Sequence, residues 1–124
     1  MSEPTSSSTH GRLVFACSGA ADVGEIADRV ARLLHREGTA RMFCLACVGA
    51  LMEDAIARAR TASDILAIDG CESDCARKCL ESAGVPRVRH LRLTDHQMPK
   101  GQTPPNLHNV QAAAERAKHV LLVP

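Results

Sequence analysis

Six cysteines stand in this chain, and all of them fall in three short stretches. Cys17 closes the apolar run "LVFAC", Cys44 and Cys47 form "CLAC", and Cys71 and Cys75 belong to "DGCESDCARKC", which Cys79 completes. Thiolates act as nucleophiles, as redox pairs or as ligands of soft metal ions. In a reducing compartment, six thiols do not build a structural disulfide framework, which leaves metal binding, redox chemistry or burial to explain them. Cys71 and Cys75 lie one helical turn or one tight loop apart and could clasp a single ion. Were all three cysteines of the last stretch helical, Cys79 would sit about 12 Å along the axis from Cys71, too far to share that ion; it reads as buried. "CLAC" fits a strand-to-helix dithiol of the thioredoxin type.

Two other local patterns lead nowhere. "GAADVG" at 19–24 has the glycine spacing of a nucleotide loop, but Glu25 and Ile26 stand where Lys and Ser or Thr would hold phosphate and magnesium. A strand-terminal Cys17 could begin a phosphatase cradle, yet position 23 is Val instead of Arg, so an oxyanion would lack its clamp.

The elements that must position these thiols follow from periodicity. Apolar runs of strand length recur at 13–17, 40–44, 65–69, 88–93 and 119–123. Between them, Val23, Ile26, Ala27, Val30, Leu33 and Leu34 share a helical face, with Asp22 as N-cap and Gly38 as stop. Val48, Leu51, Met52, Ala55 and Ala59 repeat the pattern. A third helix follows Ser73 and ends near Gly84, before Pro86. A fourth follows Asn106 through Lys118, with Leu107, Val110, Ala114 and Ala117 inward. Alternating strands and helices predict parallel βαβ units with right-handed crossovers. The expected fold is α/β: a three-layer, Rossmann-like sandwich on a mainly parallel five-stranded sheet of order 2-1-3-4-5. "VRHLRL", with Val88, His90 and Arg92 alternating against Arg89, Leu91 and Leu93, reads as partly exposed. In this order Cys17 lies centrally at the carboxyl edge, flanked by the tips that carry Cys44 and Cys71, and Cys47 and Cys75 open the next helices. Ligands bind along that edge at the switch point. With strands about 4.8 Å apart, sulfurs from neighbouring tips can approach one ion at about 2.3 Å.

Composition narrows the function classes. The 124 residues suit one domain, expected over 12–124 behind a polar, disordered tail at 1–11. Fifteen basic and fourteen acidic residues leave no strong field to steer the chain toward nucleic acid or an anionic membrane. There is no Trp or Tyr, and Phe15 and Phe43 lie in apolar runs, so stacking platforms for bases are missing. The opening segment has no apolar core, and no apolar run reaches the length of a membrane span. The expectation is a cytoplasmic protein that binds neither nucleic acid nor membrane.

Three ordered motifs, "CSGAADVGEIADRVARLL", "CLACVGAL" and "ILAIDGCESDCARKCLESAGV", together resemble the DGC-domain family of zinc-binding proteins, named for the triplet found here at Asp69, Gly70 and Cys71. The resemblance runs from about Val14 to Asp95. It implies a zinc ion held by Cys17, Cys44, Cys71 and Cys75. This sequence departs from the family pattern in carrying a cysteine at 47, which could replace Cys44 or pair with it, and a further one at 79. Asp69 is expected either to accept a hydrogen bond or orient a ligand, or to form the turn before Gly70.

The expected role is therefore a closed Zn²⁺–thiolate site at the sheet edge, serving structure, sensing or metal handling, since four protein ligands leave no place for a reactive water. Competing readings are a thiol–disulfide oxidoreductase using Cys44 and Cys47, an iron–sulfur carrier, and a binding module presenting the 94–106 loop. Among the histidines, His35 reads as solvent-facing and His119 as the start of a strand. His96 reads as a solvated loop residue near the site, and His10 falls in the tail.

Overall fold

The computed structural model describes residues 11–17 and 19–124. Apart from Gly11, the polar opening read as a tail lies outside them. Four parallel strands form one sheet: β1 (Arg12–Ala16), β2 (Arg41–Met42), β3 (Asp64–Asp69) and β4 (Val88–Arg92), in the order β2-β1-β3-β4. Five α-helices accompany them: α1 (Asp22–Arg36), α2 (Leu45–Gly49), α3 (Glu53–Arg60), α4 (Cys75–Ser82) and α5 (Leu107–Leu122). A short 3₁₀ turn covers Leu93–His96.

The pattern that predicts α1 is the one that buries it. Val23, Ile26, Ala27, Val30, Ala31 and Leu34 are wholly inaccessible, and Glu25–Arg29 and Asp28–Arg32 pair on its outer face. Gly38, at φ 77, turns the chain away after the helix. Leu13 to Ala16 and Ile65 to Asp69 are buried without alternation, as expected of central parallel strands covered on both faces. Helices α1 and α5 pack together and against the sheet, while α4 packs on β3 and β4 and against α2. The result is an α/β sandwich with β4 at one margin, where its residues are mostly half-buried.

Several expectations are corrected. The sheet has four strands, because 119–123 is the end of α5 and not a fifth strand. The buried series Val110, Ala113, Ala114, Ala117 and Leu121 keeps helical spacing past Lys118 with no breaker in between. Arg89 donates to the carbonyls of Val120 and Val123 and so satisfies the helix end. His119 is accordingly helical. Leu107, expected inward, is 70% exposed.

The second expected helix is two. The backbone breaks at Leu51, whose φ is 60, and the N–H groups of Leu51 and Met52 cap the Val48 and Cys47 carbonyls. Glu53 and Asp54 then open α3, where acidic side chains suit the positive helix end. Leu51 and Met52 are exposed as a consequence. The second strand is also shorter than its apolar run, with only Arg41 and Met42 paired.

Candidate metal centre

Strand β1 brings Cys17 to the carboxyl edge. Its N–H donates to Ile68 O at 3.0 Å, continuing the pairing with β3 one residue beyond the strand. Its side chain is buried, and its Sγ accepts the Gly70 N–H at 3.3 Å. Cys71 follows Gly70, and Cys75 opens α4. All three thiols line one cavity of about 460 Å³ together with Lys100, whose Nζ lies 3.9 Å from Cys71 Sγ.

Two glycines let this edge close. A Cβ on Gly70 would sit 2.7 Å from the Val23 carbonyl carbon and 2.8 Å from the Gly24 nitrogen. One on Gly24 would meet Gly19 O at 2.8 Å. Both obstacles are backbone, so the start of α1 can approach the tip of β3 at Gly70 and the loop after β1 at Gly19 only without those side chains. The Asp22 carboxylate then accepts the N–H groups of Gly101 and Thr103 at 2.9 and 3.0 Å, which seats the loop carrying Lys100 against the same edge.

The local electrostatics differ from thiol to thiol. Burial pushes the Cys17 thiol above its ordinary range, opposed by the Gly70 N–H. The Ser73 backbone and hydroxyl hold Cys71 below that range, with Lys100 adding to the effect. Cys71 is thus more ready than Cys17 to be a thiolate.

Beneath the cavity lies a polar lock. Asp69, 1% exposed, accepts the N–H groups of Ala76 and Arg77 at 2.8 and 3.1 Å, satisfying donors in the first turn of α4. Its Oδ2 also faces His90 Nε2 at 2.9 Å. Asp74, 3% exposed and left-handed at φ 51, receives Arg92 Nε at 2.9 Å and Arg77 Nη2 at 2.8 Å. Arg92, first among several influences, holds the Asp74 carboxyl below the usual range. Among the described residues, Asp69, Asp74 and His90 are the one trio of His, Cys, Asp or Glu whose ligand atoms all lie within 4.8 Å of one another. Their oxygens are already taken by backbone and guanidinium donors, so this trio fastens α4 to β4.

Cys44 and Cys47 occupy a different cavity, of about 860 Å³. Cys44 is exposed and accepts the Cys47 N–H on its Sγ at 3.3 Å. The pair shares a hydrogen bond that lowers the Cys44 thiol and raises that of Cys47. Cys79 is half-buried, close to Gly49 of α2. Of the four thiols implied by resemblance, the fold therefore gathers Cys17, Cys71 and Cys75 around one cavity and turns Cys44 toward the other. Asp69 accepts hydrogen bonds beneath the site. His35 is not simply solvent-facing: its Nδ1 accepts the Met42 N–H at 3.0 Å. His96 ends the 3₁₀ turn and does not line either cavity.

Sequence reasoning missed Lys100, Asp74, His90 and Arg92. The last two had a visible signal, since the alternation in β4 puts both on one face and parallel register sets Arg92 opposite Asp69. Lys100 had none beyond the length of its loop.

The DGC-domain family model matches residues 13–119. The anaerobic and virulence modulator AnvM of Pseudomonas aeruginosa is 40% identical over 88 residues, which cover 71% of this chain and 67% of that protein. No solved structure matches the chain.

Proposed function

This chain belongs to the DGC-domain family, and on that premise we propose that it is a thiolate metal-binding protein, in which Cys17, Cys71 and Cys75 hold Zn²⁺ at the carboxyl edge of the sheet. The observation that carries this reading is the cavity itself: two segments distant in sequence, the end of β1 with Cys17 and the stretch with Cys71 and Cys75, bring three thiols to a single lining. The donors suit a soft cation. The sulfur environment suits thiolates too, with the Gly70 N–H on Cys17 and the Lys100 ammonium beside Cys71. Three thiolates on a divalent cation leave a formal charge of −1, which Lys100 would offset. Drawing all three sulfurs inside 4.8 Å of one another is part of the proposal, because they do not form such a group without a metal.

The protein's own contribution is positional. Asp69 fixes the first turn of α4 and with it Cys75, Gly70 admits the close approach of β3 to α1, and Asp22 seats the Lys100 loop. A bound zinc ion would cross-link these segments and supply an exchangeable fourth position. That favours sensing or metal handling over a purely structural role. The name of the Pseudomonas relative, a modulator, agrees with a sensing role.

The test is metal analysis of protein purified without added metal. Zinc near one equivalent, lost on replacing Cys17, Cys71 or Cys75 by Ser and retained in Cys79→Ser, is the expected result. A folded, metal-free wild type that takes up no zinc on titration would overturn the reading. Strong visible absorption with bound iron would instead assign these ligands to a cluster.

A further inference from the structure

Cys44 and Cys47 are not used by the centre just described, and their surroundings differ from it. We propose that they form a separate dithiol site that exchanges with small disulfides bearing carboxylates. The two thiols line the larger cavity, with Cys44 exposed and Cys47 half-buried directly behind it, its N–H on the Cys44 sulfur at 3.3 Å. An incoming disulfide therefore meets Cys44 first. The volume, about 860 Å³, is that of a small-molecule cleft.

The charge of the lining selects the class of ligand. Arg32, Arg36 and Arg41 stand against Asp28 and Asp54, and Asp28 is already paired with Arg32 at 2.8 Å. Phe43, Leu45 and Met52 supply apolar floor between them. Such a cleft favours a ligand with carboxylates at its ends and an uncharged middle, and disfavours a cationic one.

The exchange balances without a further reagent. The Cys44 thiolate attacks one sulfur of R–S–S–R; a Cys44–S–S–R bond forms and one R–S⁻ leaves. Cys47 gives its proton to that thiolate or to solvent and attacks the Cys44 sulfur; the intramolecular disulfide forms and the second R–S⁻ leaves. Two protein thiols are oxidised while one small disulfide becomes two thiols.

The experiment treats reduced, metal-replete full-length protein with oxidised glutathione, or with cystamine as its cationic counterpart. Thiols, bound metal and disulfide-linked peptides are then measured. The proposal expects two thiols lost per chain, a disulfide mapped to 44 and 47, and unchanged metal. Cys47→Ser should trap a mixed disulfide on Cys44. Arg36→Glu should slow oxidised glutathione about threefold or more, with cystamine unaffected or faster. Modification at other cysteines, absence of the mapped bond, or equal slowing of both reagents by Arg36→Glu would overturn it. Because the inference assigns Cys44 away from the metal, Cys44→Ser tests the two readings separately. Loss of zinc in that variant would make Cys44 a ligand and end the dithiol proposal while leaving the metal centre standing. A wild type without metal that still forms the 44–47 bond would do the reverse.

Discussion

The cysteines of this chain differ in burial and in hydrogen-bond partners, and their chemistry should sort accordingly. Cys71 is favoured as thiolate by Ser73 and Lys100, whereas burial raises Cys17 and Cys79. A lowered thiol is deprotonated at a lower pH, so in metal-free protein near neutral pH iodoacetamide should label Cys71 well before Cys17 and Cys79. Peptide mapping at timed quenches checks this, and zinc should abolish the advantage of Cys71. Lys100→Ala removes the ammonium beside that sulfur, and should weaken zinc about tenfold in a competition assay with a colorimetric chelator while leaving the fold intact. At this scale the sequence was informative about residue type and poor about direction. Cys44 and Cys47 stand three apart in any reading of "CLAC", but which cavity they face depends on the backbone turn at Leu51 and the seating of α2.

Two elements, the tip of β3 and the start of α4, set the geometry of the centre. Gly70→Ala would drive a methyl into the backbone of Val23 and Gly24. The variant should lose about 1–3 kcal/mol of stability in urea unfolding, and the zinc affinity should fall further than that loss explains, because the displaced tip carries Cys71. Asp74→Asn keeps a residue tolerant of the left-handed backbone but removes the charge facing Arg92 and Arg77. Asp74 is buried but Arg92 and Arg77 keep contact with solvent, so stability should fall by about 1–2 kcal/mol, read from the same unfolding curves. Helix α1 was legible from its sequence because one unbroken face of Val, Ile, Ala and Leu must be buried whatever surrounds it. The 119–123 segment was not. "HVLLV" satisfies strand and helix patterns alike, and only the continuous burial from Val110 to Leu121, together with Arg89 on the last carbonyls, decides for helix.

For the whole molecule, the carboxylates that join separate segments predict a pH dependence with a definite sign. Asp22 and Asp74 are both held below the ordinary carboxyl range, Asp22 by the Gly101 and Thr103 N–H groups and Asp74 by Arg92. Between the folded and unfolded values the unfolded chain binds more protons, so stability rises with pH there. Their contribution is complete above the unfolded Asp value of about 4 and fades as pH falls through the lower folded values. The melting temperature of metal-free protein should therefore be nearly flat from about pH 7 to 5 and drop below about pH 4, with a shallower drop in Asp74→Asn. No helix among the described residues is long and apolar enough to cross a membrane. The sequence by itself determined the alternation of strands and helices, the parallel sheet and the gathering of thiols near its carboxyl edge. All of these follow from local periodicity and from the rule that consecutive parallel strands end on the same side. Only the tertiary structure decided that Cys17, Cys71 and Cys75 share one cavity while Cys44 and Cys47 face another, and that Asp69, Asp74, His90 and Arg92 lock the floor beneath. Those facts depend on side-chain direction and on contacts between segments 18 to 81 residues apart, such as Arg92 on Asp74 and Thr103 on Asp22; the alternation in β4 puts His90 and Arg92 on one face, but no local pattern encodes their partners.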